Sequence, residues 1–122
     1  MALGQEIGTF ELKITSWSHA EDRETVAITL DGKATDFGTV LGTLTGRGAP
    51  GAKSGPCSWR SQAFLEDGDV VVGIGEGTWM ESGNHQWRIR LTISIDDGRF
   101  VAVDGTLSLA GRSFSGKILD WS

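Results

Sequence analysis

The sequence predicts an all-β fold, a single closed antiparallel up-and-down barrel of about eight strands, and three observations carry that prediction. Apolar residues recur at every second position over several segments, the pattern of strands with one buried and one wetter face. Glycine-based turn clusters separate those segments at near-regular spacing. No stretch repeats apolar residues at i, i+3, i+4 and i+7 over three turns, and 18 glycines in 122 residues interrupt the chain too often for long helices.

The elements follow in order. Phe10, Leu12 and Ile14 alternate with Glu11, Lys13 and Thr15, which predicts a first strand over 6–17. Val26, Ile28 and Leu30 give a second over 23–31, ended by a turn at Asp31-Gly32-Lys33. A third spans 37–47, and a Gly/Pro-rich stretch from Arg47 to Gly55, containing Gly48-Ala49-Pro50-Gly51, is placed over a barrel mouth. The fourth and fifth strands, 56–65 and 69–80, meet at Asp67-Gly68. Asp-Gly between alternating segments favours a hairpin because glycine accepts positive φ. Ser82-Gly83-Asn84 leads into a sixth strand over 85–95, where Trp87, Ile89, Leu91, Ile93 and Ile95 form the cleanest alternation in the chain. Asp97-Gly98 and Ala110-Gly111-Arg112 bound a seventh over 99–109 and an eighth over 113–121. These strands consume nearly the whole chain, so residues 1–122 form one domain. A β-sandwich would require longer crossing connections. Eight strands enclose an interior that is either filled by side chains or holds one small ligand.

Composition narrows the function. Apolar content is 39% and charged content 22%, as in soluble globular proteins. The net charge of −5 is dispersed over turns, and the sequence shows no basic patch of the kind that binds nucleic acid or an anionic membrane surface. No apolar run is long enough to span a membrane as a helix, and residues 1–10 lack the features of a signal peptide. Cys57 is the only cysteine, which excludes an internal disulfide and suits a reducing cytoplasm. His19 and His85 are the only histidines and have no supporting carboxylate motif, so no metal site and no cofactor are expected.

Three segments, Gly8-Thr9-Phe10-Glu11-Leu12-Lys13, Gly38-Thr39-Val40-Leu41-Gly42-Thr43-Leu44-Thr45-Gly46 and Gly75-Glu76-Gly77-Thr78-Trp79, carry a resemblance to a known group. The chain resembles small bacterial proteins of the allene oxide cyclase barrel-like group, which are largely uncharacterised. The resemblance implies an eight-stranded barrel, a cytoplasmic location, a homo-oligomer and a cavity for a small apolar molecule. No catalytic residue of the longer plant cyclases maps onto this chain.

The candidate chemistry centres on Glu76. A two- or four-residue loop at Glu81–Asn84 sets Ile74 against Leu91, Glu76 against Ile89 and Thr78 against Trp87. That register gathers Val72, Ile74 and the Trp87–Ile95 row on one buried face. Glu76 then projects from an apolar face, where desolvation raises a carboxyl pKa and suits it to general acid–base work. A structural ion pair or a rim position is the competing explanation. The same register puts Gly73, Gly75 and Gly77 on the outer face beside Arg88 and Arg90, which with Arg60 could form a cationic row for an anionic ligand or simply a solvated surface. Trp59 lies against Gly75 if Gly68 is left-handed in a Glu66-Asp67 turn, and against Glu76 if the loop has two or four residues.

Two functions follow. In the first, the barrel binds a small apolar or amphipathic molecule in a pocket of Trp59, Ile74, Trp87, Ile89 and Leu91, with Glu76 as acid/base of a cyclase or isomerase. In the second, it is a non-catalytic homo-oligomeric barrel that binds a partner or a glycan. A solid interior without a cavity excludes the first and a pocket lined by Glu76 weakens the second; an inward Val72–Ile74–Glu76 face gives a buried acid and an activity, an inward glycine face neither.

Overall fold

The computed structural model describes residues 3–122. It contains eight strands: β1 (Glu6–His19), β2 (Thr25–Ala34), β3 (Gly38–Arg47), β4 (Ser54–Phe64), β5 (Val70–Gly83), β6 (Gln86–Ile95), β7 (Phe100–Ser108) and β8 (Ser113–Asp120). Each strand pairs antiparallel with its neighbours in sequence, and β8 returns to β1, closing an up-and-down barrel. Closure leaves no free strand edge.

Period-two alternation puts one side chain row inside. Leu12, Leu30, Leu44, Trp59, Ile89, Leu91, Leu107 and Phe114 are each at most 4% exposed. Phe10 and Phe114 meet edge-on at 4.8 Å between ring centroids, and Trp59 meets Phe114 at 6.4 Å, so aromatic packing fills the middle of the barrel. The outer rows of β1, β2, β6 and β8 carry Glu11, Lys13, Asp31, Lys33, Arg88, Arg90 and Lys117, charges that water solvates. No helix of the described residues is long and apolar enough to cross a membrane.

Asp31-Gly32-Lys33, expected as a turn, lies within β2. Gly32 pairs with Leu12, and a Cβ at Gly32 would strike the backbone of Glu11 and Leu12. This glycine marks a close approach of two strands. The turn itself comes later, where Asp36 and Gly38 adopt φ of 66° and 68°. The segment 23–24 also precedes β2, because Asp22 caps it: its carboxylate accepts the amides of Glu24 and Thr25, both at 2.9 Å, and the Thr25 hydroxyl at 2.7 Å.

Two bulges decide which side chains enter the barrel. On β1, Ile14 pairs with Leu30 and Ser16 with Thr29, leaving Thr15 as an extra residue. Beyond it the inward set switches from even to odd positions, so Trp17 comes to oppose Ile28 and faces inward. On β5, Glu81 pairs with Trp87 and Gly83 with Gln86, leaving Ser82 extra beside the connection at Asn84-His85. With the connection at Asn84-His85 and Ser82 as an extra residue, the β5–β6 register moves by three residues from the expected one, an odd number that exchanges the faces. Trp79, and not Glu76, opposes Ile89; Gly77, and not Ile74, opposes Leu91; and Thr78 opposes Arg90 on the outside.

The glycine face of β5 therefore points inward. Gly73 and Gly75 are buried, whereas Val72 and Ile74 are exposed. The reason is volume. The Trp59 side chain opposes Gly75, and its indole lies over Gly42 of the neighbouring strand β3, so closely that a Cβ on Gly42 would overlap the ring, while it meets Phe114 of β8 edge-on. The β4–β5 connection fixes this placement. Leu65 N–H donates to Asp69 O at 2.9 Å around a left-handed Gly68 (φ 97°), which realises the Gly68 turn of the two alternatives for Trp59.

Candidate functional site

The filled middle leaves a cavity at each end. At the end where the β1–β2 and β3–β4 connections lie, a cavity of about 200 Å³ is walled by Trp17, Trp79, Trp87, Val26, Ile28, Leu44, Ile89 and Leu107, with Cys57 among its lining residues. Arg23, Glu24 and Arg47 stand at its rim. Toward the other end a cavity of about 70 Å³ lies among Phe37, Val40, Trp59, Ala63, Val71, Leu91 and Phe114.

The tryptophan-lined mouth is a built structure. The Thr15 bulge turns Trp17 inward, and Trp17 meets Trp87 with ring centroids 5.9 Å apart and planes tilted by 50°. Trp79 forms another wall. Its Nε1–H donates to Arg47 O at 2.9 Å, and its ring lies close over Gly48 and Gly55. The β3–β4 connection lies over this mouth, and Arg47, Gly48 and Gly55 hold Trp79 there. Arg23, in a left-handed conformation (φ 62°), and Glu24 are held at the rim by the Asp22 cap. Those hydrogen bonds hold the Asp22 carboxyl below its ordinary range.

The other end is plugged. Phe37 is 8% exposed, and the Arg99 guanidinium sits 4.1 Å above its ring. Arg99 also bonds Asp36 O at 3.1 Å and pairs with Asp97 at 2.8 Å, tying the β2–β3 turn to the β6–β7 turn. The smaller cavity beneath is apolar. Its hydroxyl, from Ser61, accepts Trp59 Nε1–H at 2.8 Å.

The expected site residues divide. Trp59, Ile89 and Leu91 are inside, Trp87 is half-buried at the mouth, but no single pocket holds all four: Trp59 and Leu91 line the smaller cavity, Trp87 and Ile89 the larger. Ile74 is 49% exposed on the outer face and lines neither. Glu76 is exposed beside Thr92 and Ser58, so the desolvation that would make it a general acid or base is missing. Arg88 belongs to a bidentate ion pair with Asp104 (3.0 and 2.6 Å), which holds the Asp104 carboxyl below its ordinary range and removes Arg88 from any free cationic row. His85 is exposed in a turn (φ 57°), and His19 is exposed at the end of β1. Among the described residues no three His, Cys, Asp or Glu side chains group as a metal site would.

The titratable groups that line the two cavities are Cys57 and the rim residues Arg23, Glu24 and Arg47. Burial pushes the Cys57 thiol up to about 11, so at neutral pH it is a small apolar wall element and a poor nucleophile. Trp17 and Trp79 were missed in sequence. The signal for Trp17 was the spacing of three between Ile14 and Trp17, which breaks the alternation of 10, 12 and 14. The signal for Trp79 was its parity with Gly73, Gly75 and Gly77. Compared with known protein families, curated proteins and solved structures, the chain matches none.

Proposed function

We propose that this barrel binds a small apolar or amphipathic molecule with a single ring, held between Trp17, Trp79 and Trp87 at its open end. The tryptophan-walled cavity of about 200 Å³ carries this reading. An apolar cavity of roughly 150 Å³ accommodates benzene, so this one takes a ring with one or two small substituents. Aromatic walls offer offset and edge-on contacts to a planar guest. The rim gives a polar substituent both signs of charge to meet, Arg23 and Arg47 against Glu24. The reading is one of binding, because neither cavity presents a carboxylate or imidazole to an apolar guest at its floor.

A size series tests it. Affinity for so small a guest is limited to a Kd on the order of 1 mM. At about 10 mM, p-cresol then stabilises the protein by about 1.4 kcal/mol, a rise in Tm of roughly 5 °C for a domain of this size. A 2-naphthol control, with two fused rings, gives a much smaller rise. Trp87→Ala abolishes the p-cresol effect. Equal rises for both compounds, or an undiminished p-cresol effect in Trp87→Ala, would overturn the proposal.

A further inference from the structure

The outer face of β3–β5 differs from the rest of the exterior. Leu41, Phe64, Val70, Val72 and Ile74 project outward there, between 38% and 49% exposed. The register makes them neighbours. Val70 pairs with Phe64, Val72 with Gln62, and Gln62 in turn with Leu41, while Ile74 follows one step along β5. Their exposed apolar surface amounts to on the order of 400 Å², at the size where a patch on a monomer marks an interaction site. Nothing in the alternation of β5 requires it, since the buried face of this strand is the glycine face.

We propose that this face is the interface of a symmetric dimer, the patch of one chain packed on the same patch of a second copy. Three observations select that occupant. The barrel is closed, so no strand edge is free to add an extended peptide, and association must be face to face. Its polar border of Thr39, Thr43, Gln62 and Ser94, with Arg60 and Glu76 beyond Ile74, widens the face toward the roughly 800 Å² that each partner contributes to a standard interface. The border also carries charges of both signs: Asp96, whose carboxylate accepts Val72 N–H at 3.0 Å, and Arg60 beside Ile74 with Glu76 one step further on β5, of which the last two form no ion pair among the described residues. A two-fold interface needs a patch carrying both halves of every pair. This patch does, since Arg60 of each copy can face Glu76 of the other.

Sedimentation equilibrium on the full chain tests the proposal across 1–300 μM. The wild type is expected to be a dimer, dissociating only toward the lower end. Val72→Lys/Ile74→Lys is expected to be a monomer throughout, with an unchanged far-ultraviolet spectrum because both side chains lie outside the core. Ile74→Thr, a milder change that suits a strand, is expected to raise the dissociation constant at least tenfold. Arg60→Glu and Glu76→Arg each weaken the dimer, and the double variant recovers it. A wild type monomeric at 300 μM, a trimer, or a double-lysine variant that stays dimeric would each overturn the assignment.

Discussion

Gly77→Ala is the sharpest probe of which face of β5 points inward. A Cβ on Gly77 overlaps Arg90 O and lies 2.8 Å from Arg90 C and 2.9 Å from Leu91 Cα. These are backbone atoms of the paired strand and cannot rotate away, so β5 and β6 must part locally. Overpacking of this kind costs about 1–3 kcal/mol, and for a chain of this length each kcal/mol lowers Tm by about 3–5 °C. Thermal unfolding of Gly77→Ala should therefore show a Tm about 3–15 °C below wild type, with a matching fall in the urea midpoint. Glu76→Ala, one residue away on the exposed face, should stay within about 0.5 kcal/mol of wild type when both are unfolded at protein concentrations low enough for the proposed dimer to have dissociated. The opposite register makes the opposite prediction. With the glycines outside, alanine at 77 gains strand propensity and raises stability by up to about 1 kcal/mol, while truncation of a buried Glu76 disrupts the core. A Gly77→Ala protein as stable as wild type would refute the inward glycine face.

Other consequences are measurable. The Cys57 thiol titrates near 9.0 when exposed and is raised to about 11 by burial, so its contribution is complete below pH 9 and is lost as pH rises toward 11. Urea midpoints should fall over that window by the equivalent of about 2 kcal/mol, and Cys57→Ala should flatten the fall; an equal fall in both would remove the buried thiol as its cause. Arg99→Ala, which frees the Phe37 plug and breaks the pair with Asp97, should cost about 1 kcal/mol in urea unfolding; no loss would show that the plug stands without its cap. Trp59→Ala should cost about 3–5 kcal/mol and join the two cavities, so that 2-naphthol raises Tm; failure of the larger guest to stabilise a folded Trp59→Ala would contradict the role of Trp59 as the divider.

How much was legible in the sequence differs by level. Strand number and order followed from alternation and glycine turns, because those signals are local and the fold connects only neighbours. The inward faces of β1 and β6 were also legible, since Phe10, Leu12, Ile89 and Leu91 sit on uninterrupted alternations. Strand β5 defeated the same logic. Its two faces are Val72–Ile74–Glu76 and Gly73–Gly75–Gly77, and hydrophobicity favours the first. The choice depends on the bulge at Ser82, the connection at Asn84-His85 and the space Trp59 takes over Gly75 and Gly42, which no local pattern reports. Glu76 as a buried acid fell with that register. The mouth was half legible: Trp87 belonged to the clearest strand, whereas Trp17 enters only through the bulge at Thr15.

A ligand seated among Trp17, Trp79 and Trp87 would be reported most directly by their own indole signals. The chain has five tryptophans, hence five indole N–H signals in a ¹H–¹⁵N spectrum. Titration with p-cresol should move those of Trp17, Trp79 and Trp87 together along one saturating curve, leaving Trp121 in place and Trp59, whose indole N–H bonds Ser61 in the smaller cavity, nearly so. A spectrum unchanged at 10 mM p-cresol, or one in which Trp121 alone moves, would contradict that placement.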